Sequence, residues 1–98
     1  MRIDQTLNGN QLTIALTGRL DTVTAPDFEQ ALTKSLDGVT ALILDFSDLE
    51  YISSAGLRTV LIAHKRMAGQ GTMTILGANE LVMEVFEATG LADVLDFA

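Results

Sequence analysis

Cysteine is absent from this 98-residue chain. That excludes disulfides, thiolate metal sites and cysteine nucleophiles, and it is compatible with a reducing compartment. Histidine is nearly absent: His64 stands alone. A zinc site there would need carboxylates alone beside it, so His64 reads as a packing or surface residue. No Ser-His-Asp assignment is credible either, because Ser53, His64 and a distant aspartate lack a nucleophile-elbow motif. No apolar run approaches the ~20 residues of a membrane span. Met1 to Asn10 has polar residues throughout and lacks the apolar centre of a signal peptide. Basic residues are few, 6 against 13 acidic ones, for a net charge of -7. Nucleic acid and anionic membrane surfaces are therefore poor partners, and no membrane insertion is expected. The acidity serves solubility, or it steers the chain towards a basic patch on a protein partner.

What is present is apolar residue in ordered patterns. Hydrophobic residues make up 48% of the chain, enough for one core of two packed layers in a single domain spanning residues 1–98. Met1 to Leu7 shows weak alternation and ends at Asn8-Gly9-Asn10, a strong hairpin signal because Asn and Gly tolerate positive φ. Gln11 to Thr17 alternates with period 2, placing Leu12, Ile14 and Leu16 on one face. Gly18-Arg19-Leu20-Asp21 is expected to leave that strand. A helix start follows over Thr22 to Pro26, with Thr24 as its N-cap and Asp27 and Glu29 favouring the positive end of the helix dipole. Phe28, Ala31, Leu32 and Leu36 form its stripe, and Asp37-Gly38 ends it.

Ala41 to Phe46 is nearly continuously apolar, as a central strand buried on both faces would be. Ser47 to Ile52 reads as the loop after it. A long helix begins at Ser53 or Ser54, carries Leu57, Val60, Leu61, His64 and Met67, and stops at Gly69 to Gly71. Thr72 to Leu76 is a further strand. Asn79 can cap a last helix that buries Leu81, Val82, Val85 and Phe86 and ends near Thr89-Gly90. The order β-β-α-β-α-β-α implies an α/β fold, in which an opening hairpin joins strands made parallel by crossovers.

Chemistry concentrates between Asp45 and Leu61, where a buried strand leads into Ser53-Ser54-Ala55-Gly56-Leu57. Backbone N–H groups in the first turn of a helix lack intrahelical partners and carry partial positive charge. A serine there can cap the helix. It can also carry a phosphate, whose oxygens the same N–H groups favour. Gly56 inside a first turn costs roughly 0.5–1 kcal/mol against alanine, which points to close packing or close access. Arg58 is either a solvated charge or a contact for a partner or a phosphate. Asp45, Asp48 and Glu50 could hold a hard cation, though a solvated loop accounts for them. Gly69, Gly71 and Gly77 do not make a phosphate-binding fingerprint. With no convergent catalytic set, an enzyme is not expected, and no cofactor or metal is implied.

The run from Asp45 to Leu57, DFSDLEYISSAGL, resembles the signature of STAS domains. There a strand, an Asp-Leu turn and an aromatic-aliphatic pair lead into Asp/Ser-Ser-Ser/Thr/Ala-Gly-Leu. Gly18-Arg19-Leu20-Asp21 is similar to the Gly-x-Leu-Asp that follows the family's second strand. Asn79-Glu80, Val85-Phe86 and Thr89-Gly90-Leu91 resemble its closing helix. The resemblance implies a STAS-like mixed four-stranded β-sheet with helices packed mainly on one face. It further implies an anti-sigma factor antagonist working in the cytoplasm. In its unphosphorylated form such a protein binds an anti-sigma factor that is also a serine kinase, and the sigma factor is released. Phosphorylation at the start of the long helix ends the complex, and a metal-dependent serine phosphatase restores it. By position the modified serine is Ser54, with Ser53 as the alternative acceptor. Asp21, Ser53, Ser54, Ala55, Gly56 and Arg58 make up the partner-binding set. Ser53 stands where the sporulation and stress-response members have aspartate, and Ala55 where they have a second serine or threonine. The alternative role within the family is an unphosphorylated scaffold, or an accessory subunit of a lipid-transport ATPase.

Overall fold

Gly9 takes φ +63° and turns the chain between β1 (Arg2–Asn8) and β2 (Gln11–Leu20), which pair antiparallel from Arg2↔Thr17 to Asn8↔Gln11. The computed structural model describes residues 1–98. Two crossovers then add β3 (Ala41–Ile52) parallel to β2, and β4 (Thr72–Leu76) parallel to β3. The sheet order is β1-β2-β3-β4. Helices α1 (Ala25–Ser35), α2 (Ser54–Ala68) and α3 (Glu80–Ala88) follow β2, β3 and β4 in turn, and a short 3-10 turn spans Leu91–Asp93.

The helices cover one face of the sheet. Leu12, Ile14, Leu16, Leu42, Leu44, Phe46, Met73 and Ile75 are buried there against Phe28, Leu32, Leu57, Val60, Val82 and Phe86. The alternate residues Thr13, Ala15, Ala41, Ile43, Asp45 and Thr74 are only half-buried. The expectation that β3 is buried on both faces is thus corrected: its second face carries no helix. Several short polar ties fix the helix ends. Asn79 caps α3 by accepting the Val82 N–H at 2.8 Å, while its own amide donates to the Leu49 carbonyl at 2.9 Å. Gln70 donates to the Leu36 and Val39 carbonyls at 2.6 and 2.7 Å, joining the far ends of α1 and α2. The C-terminal residues cover the outer edge of β4, with the Ile75 N–H donating to Asp96 and the Ala98 N–H to Ile75, both at 2.9 Å.

Both strands that lead to the sequence motif run further than their patterns suggest. β2 does not end at Gly18 but reaches Leu20, and Ser47 to Ile52 is strand rather than loop. The two extensions pair with each other: Gly18↔Leu49, Arg19↔Tyr51, Leu20↔Ile52. Register shifts between Ala15/Thr17 and Gly18/Arg19 place extra residues in β3. Such bulges break the period-2 alternation by which a strand is read, yet they keep Leu49 and Ile52 in the core.

α2 begins directly on this extension, and Gly56 lets it sit close. A Cβ at Gly56 would lie 2.7 Å from Leu20 Cγ and 2.9 Å from Ile52 Cγ1. Both neighbours are buried, so neither can swing aside. Gly69, at the other end of α2, has φ -86° and 3.7 Å of clearance to the Arg66 carbonyl. Gly56→Ala is therefore expected to lose about 1–2 kcal/mol in urea unfolding, overpacking outweighing the gain in helix propensity. Gly69→Ala is expected to stay within about 0.5 kcal/mol of the parent.

Candidate functional site

Parallel strands β2 and β3 end side by side, so the segments that leave them meet at one edge of the sheet. The Ser53 N–H donates to the Leu20 carbonyl at 2.9 Å and binds the two strand ends together. Ser53 is the N-cap of α2. Its backbone is extended, its Oγ accepts the Gly56 N–H at 3.4 Å, and its carbonyl accepts the Leu57 N–H at 2.9 Å. Ser54 is the first residue inside the helix and is exposed. The two serines thus sit in different places: Ser53 is half-buried with its oxygen committed to the helix, while Ser54 faces solvent.

Asp21 lies on the neighbouring loop. Its Oδ1 accepts the N–H groups of Val23 at 3.0 Å and Thr24 at 3.1 Å. The Thr24 hydroxyl accepts the Asp21 N–H at 2.9 Å and donates to the Arg19 carbonyl at 2.8 Å. Thr24 occupies the N-cap position of α1 but makes no capping bond with its side chain, contrary to the sequence expectation. Its backbone is already helical, with φ -93° and ψ -22°, so the hydroxyl turns back towards Asp21. Arg19 stacks 4.3 Å above the centre of the Tyr51 ring and lies 3.9 Å from the Asp21 carboxylate.

Between α1 and α2 runs an open groove of about 190 Å³, with Ala25, Pro26 and Glu29 on one wall and Ala55, Arg58 and Ile62 on the other. Ser53, Ser54, Ala55 and Arg58 therefore share the start of one helix, with Asp21 on the adjacent loop. Gly56 is placed differently. It is buried, and the side it leaves bare faces Leu20 and Ile52, so it seats the helix and offers no outer surface. No three His, Asp or Glu residues cluster to hold a metal ion, and Asp45, Asp48 and Glu50 are spread along β3. The sequence reading placed Arg19 at the strand exit, Thr24 and Glu29 at the start of α1 and Tyr51 in a loop, and assigned none of them to the site. The Asp21-to-Thr24 spacing is a local turn signal that could have found Thr24. The Arg19–Tyr51 pair depends on a bulged register that no local pattern shows.

The hydrogen bond from the Thr24 N–H, with those from the Thr24 hydroxyl and Val23 and the nearby Arg19 charge, holds the Asp21 carboxyl below the ordinary value of 3.8, against partial shielding from water. A depressed carboxyl adds stability above its unfolded pKa and loses it as pH falls through its folded pKa. Asp21 is thus fully ionised at neutral pH and its loop weakens only in acid below pH 3.8. An NMR titration is expected to place the Asp21 midpoint below that value, and Thr24→Val should raise it. An unchanged midpoint in Thr24→Val would contradict this account of the loop.

The model of the STAS domain matches residues 2–98. A candidate anti-sigma factor antagonist of Bordetella bronchiseptica, BtrV, is 35% identical over 89 residues, covering 89% of this chain and 77% of that protein. The anti-sigma-B factor antagonist of Bacillus subtilis is 24% identical over 99 residues, covering 100% of this chain and 91% of its own length. Among solved structures, the anti-sigma factor antagonist SpoIIAA in its unphosphorylated form superposes with a TM-score of 0.85 at 23% identity, over 99% of this chain and 88% of that one. The phosphorylated form of the Bacillus protein SpoIIAA superposes with a TM-score of 0.77 at 22% identity, over 99% and 91%. With the same sheet carried across nearly every residue and a family match that begins at the second, the chain belongs to the STAS domain family.

Proposed function

We propose that this chain is an anti-sigma factor antagonist whose grip on its partner is released by phosphorylation of Ser54. The observation that carries this reading is the division between the two serines. Ser53 caps α2 while Ser54, one residue on, is exposed at the positive end of the same helix. A phosphate can be added at Ser54 without taking the cap apart. Relatives named as anti-sigma factor antagonists support the role, and the same fold in a protein known in phosphorylated and unphosphorylated forms supports the switch.

In the unmodified state the outer surface of Asp21, Ser54, Ala55 and Arg58 docks against an anti-sigma factor with serine-kinase activity. Phosphoryl transfer forms a bond from Ser54 Oγ to the γ-phosphorus of ATP, breaks its bond to ADP and releases the hydroxyl proton. The product adds roughly -1.5 to -2 charges at neutral pH. On a chain already at -7 this deepens the acidic field. Burying that charge in a packed interface without a cationic partner costs several kcal/mol. About 4 kcal/mol corresponds to a thousandfold in affinity, so no refolding is required. A metal-dependent phosphatase acting in the cytoplasm would reset the exposed phosphoserine. The chain itself is a binding module rather than an enzyme.

Incubation with ATP and the cognate kinase, followed by peptide mass spectrometry, is expected to place one phosphate on Ser54. Ser54→Asp should melt like the parent and bind the kinase about a hundredfold to a thousandfold more weakly. Ser54→Ala should bind and resist release by ATP. Ser53→Ala should lose about 1 kcal/mol of stability with its cap and still be phosphorylated. Unchanged affinity of Ser54→Asp, or a phosphate found elsewhere, would remove the reading. Copurification with a transport ATPase and no modification by the kinase would favour the scaffold role in its place.

A further inference from the structure

Three of the four arginines are already engaged. Arg2 lies 2.9 Å from Asp4, Arg66 2.6 Å from Asp37, and Arg19 3.9 Å from Asp21 while stacked on Tyr51. Arg58 has no carboxylate partner, although Glu29 stands on the opposite wall of the same groove. Its place on α2 is one turn beyond Ser54, and both residues are exposed. Residues at i and i+4 lie on the same helix face. Long side chains in a helix also lean back towards its N-terminus, over the preceding turn. For Arg58 that turn is the one headed by Ser54.

We infer that Arg58 is an internal clamp for a phosphate on Ser54. This rests on Ser54 being the modified residue. The unmodified protein presents a neutral hydroxyl and an uncommitted guanidinium side by side. Once Ser54 carries a dianion, the guanidinium closes on it as a charge-assisted fork. The modification then does two things to a docked partner. It introduces negative charge, and it withdraws the one arginine that was free to meet an acidic group across the interface. Among the charged groups on adjacent elements, Glu29 of α1 repels the phosphate and competes for Arg58. Asp21 repels it from the β2 side, and Arg19 is held by Tyr51 and Asp21.

The test is a full-length chain carrying phosphoserine at position 54 from translation, titrated by phosphorus NMR between pH 4 and pH 8. The second ionisation of phosphoserine falls near pH 6. With Arg58 present its midpoint is expected about half a pH unit below that of Arg58→Gln, with Arg58→Lys in between. The gap should narrow in added salt. Coincident midpoints in the parent and Arg58→Gln would overturn the clamp. In the unphosphorylated protein, Arg58→Gln should keep its melting temperature and bind the anti-sigma factor several-fold more weakly. Unchanged binding would overturn the claim that a partner contact is withdrawn. Since the phosphoserine is built in during synthesis, the titration is decided without a kinase. A kinase that leaves Ser54 unmodified would count against the proposed function and not against the clamp.

Discussion

One backbone hydrogen bond, from the Ser53 N–H to the Leu20 carbonyl at 2.9 Å, joins the last residue of β2 to the residue that starts α2. Everything at the site depends on those two chain segments lying together. The pairing Leu20↔Ile52 continues the sheet to its limit, and the helix departs at once from its end. Gly56 is what allows the departure, because any side chain there would strike Leu20 and Ile52. The loop with Asp21 leaves the other strand at the same edge, stiffened by its own bonds to Val23 and Thr24. The site is therefore built on the rigid ends of two central strands rather than on long loops.

The consequence for function is a division of labour between neighbouring serines. A helix start has orphan N–H groups, and Ser53 satisfies one of them with its side chain. Ser54 is left with the helix's positive end and no structural duty of its own. A modification at such a position alters charge and leaves the cap intact. This suits a switch in a small domain, whose margin of stability is thin. A signal that worked by partial unfolding would draw on that margin, whereas one that changes only surface electrostatics does not.

Charge on this molecule is strongly acidic, and two of its four arginines are held near the two ends of the long helix. Arg66 pairs with Asp37 near the far end of α2, and Arg19 is held over Tyr51 beside Asp21. Arg58, alone among the four arginines, has no carboxylate partner, and it lies one turn from the exposed Ser54. In the proposed switch, a cation next to the modified serine would couple the two states of the surface. On that proposal it would be open to a partner when the serine is bare and satisfied internally when the serine is modified. A negative field over the rest of the chain makes this local exception more consequential for recognition.

The order of elements was legible in the sequence because it rests on local physics: alternation in Gln11 to Thr17, the stripe from Leu57 to Met67, the Asn8-Gly9 turn and the Asn79 cap all appear where their patterns place them. The grouping of Ser53, Ser54 and Arg58 was equally legible, since three residues on one helix start are near one another whatever the fold. Tertiary structure decided the rest. Strand pairing carried β3 through the polar stretch from Ser47 to Ile52, because bulges accommodate residues that break alternation. The one-sided helix layer left Ile43 and Ala15 half-buried, which no hydrophobic run could announce. Only the packed chain separated the capping serine from the free one and put Asp21 beside them. Burial and hydrogen-bond partners belong to the assembled sheet and helices, and a string of residue types does not contain them.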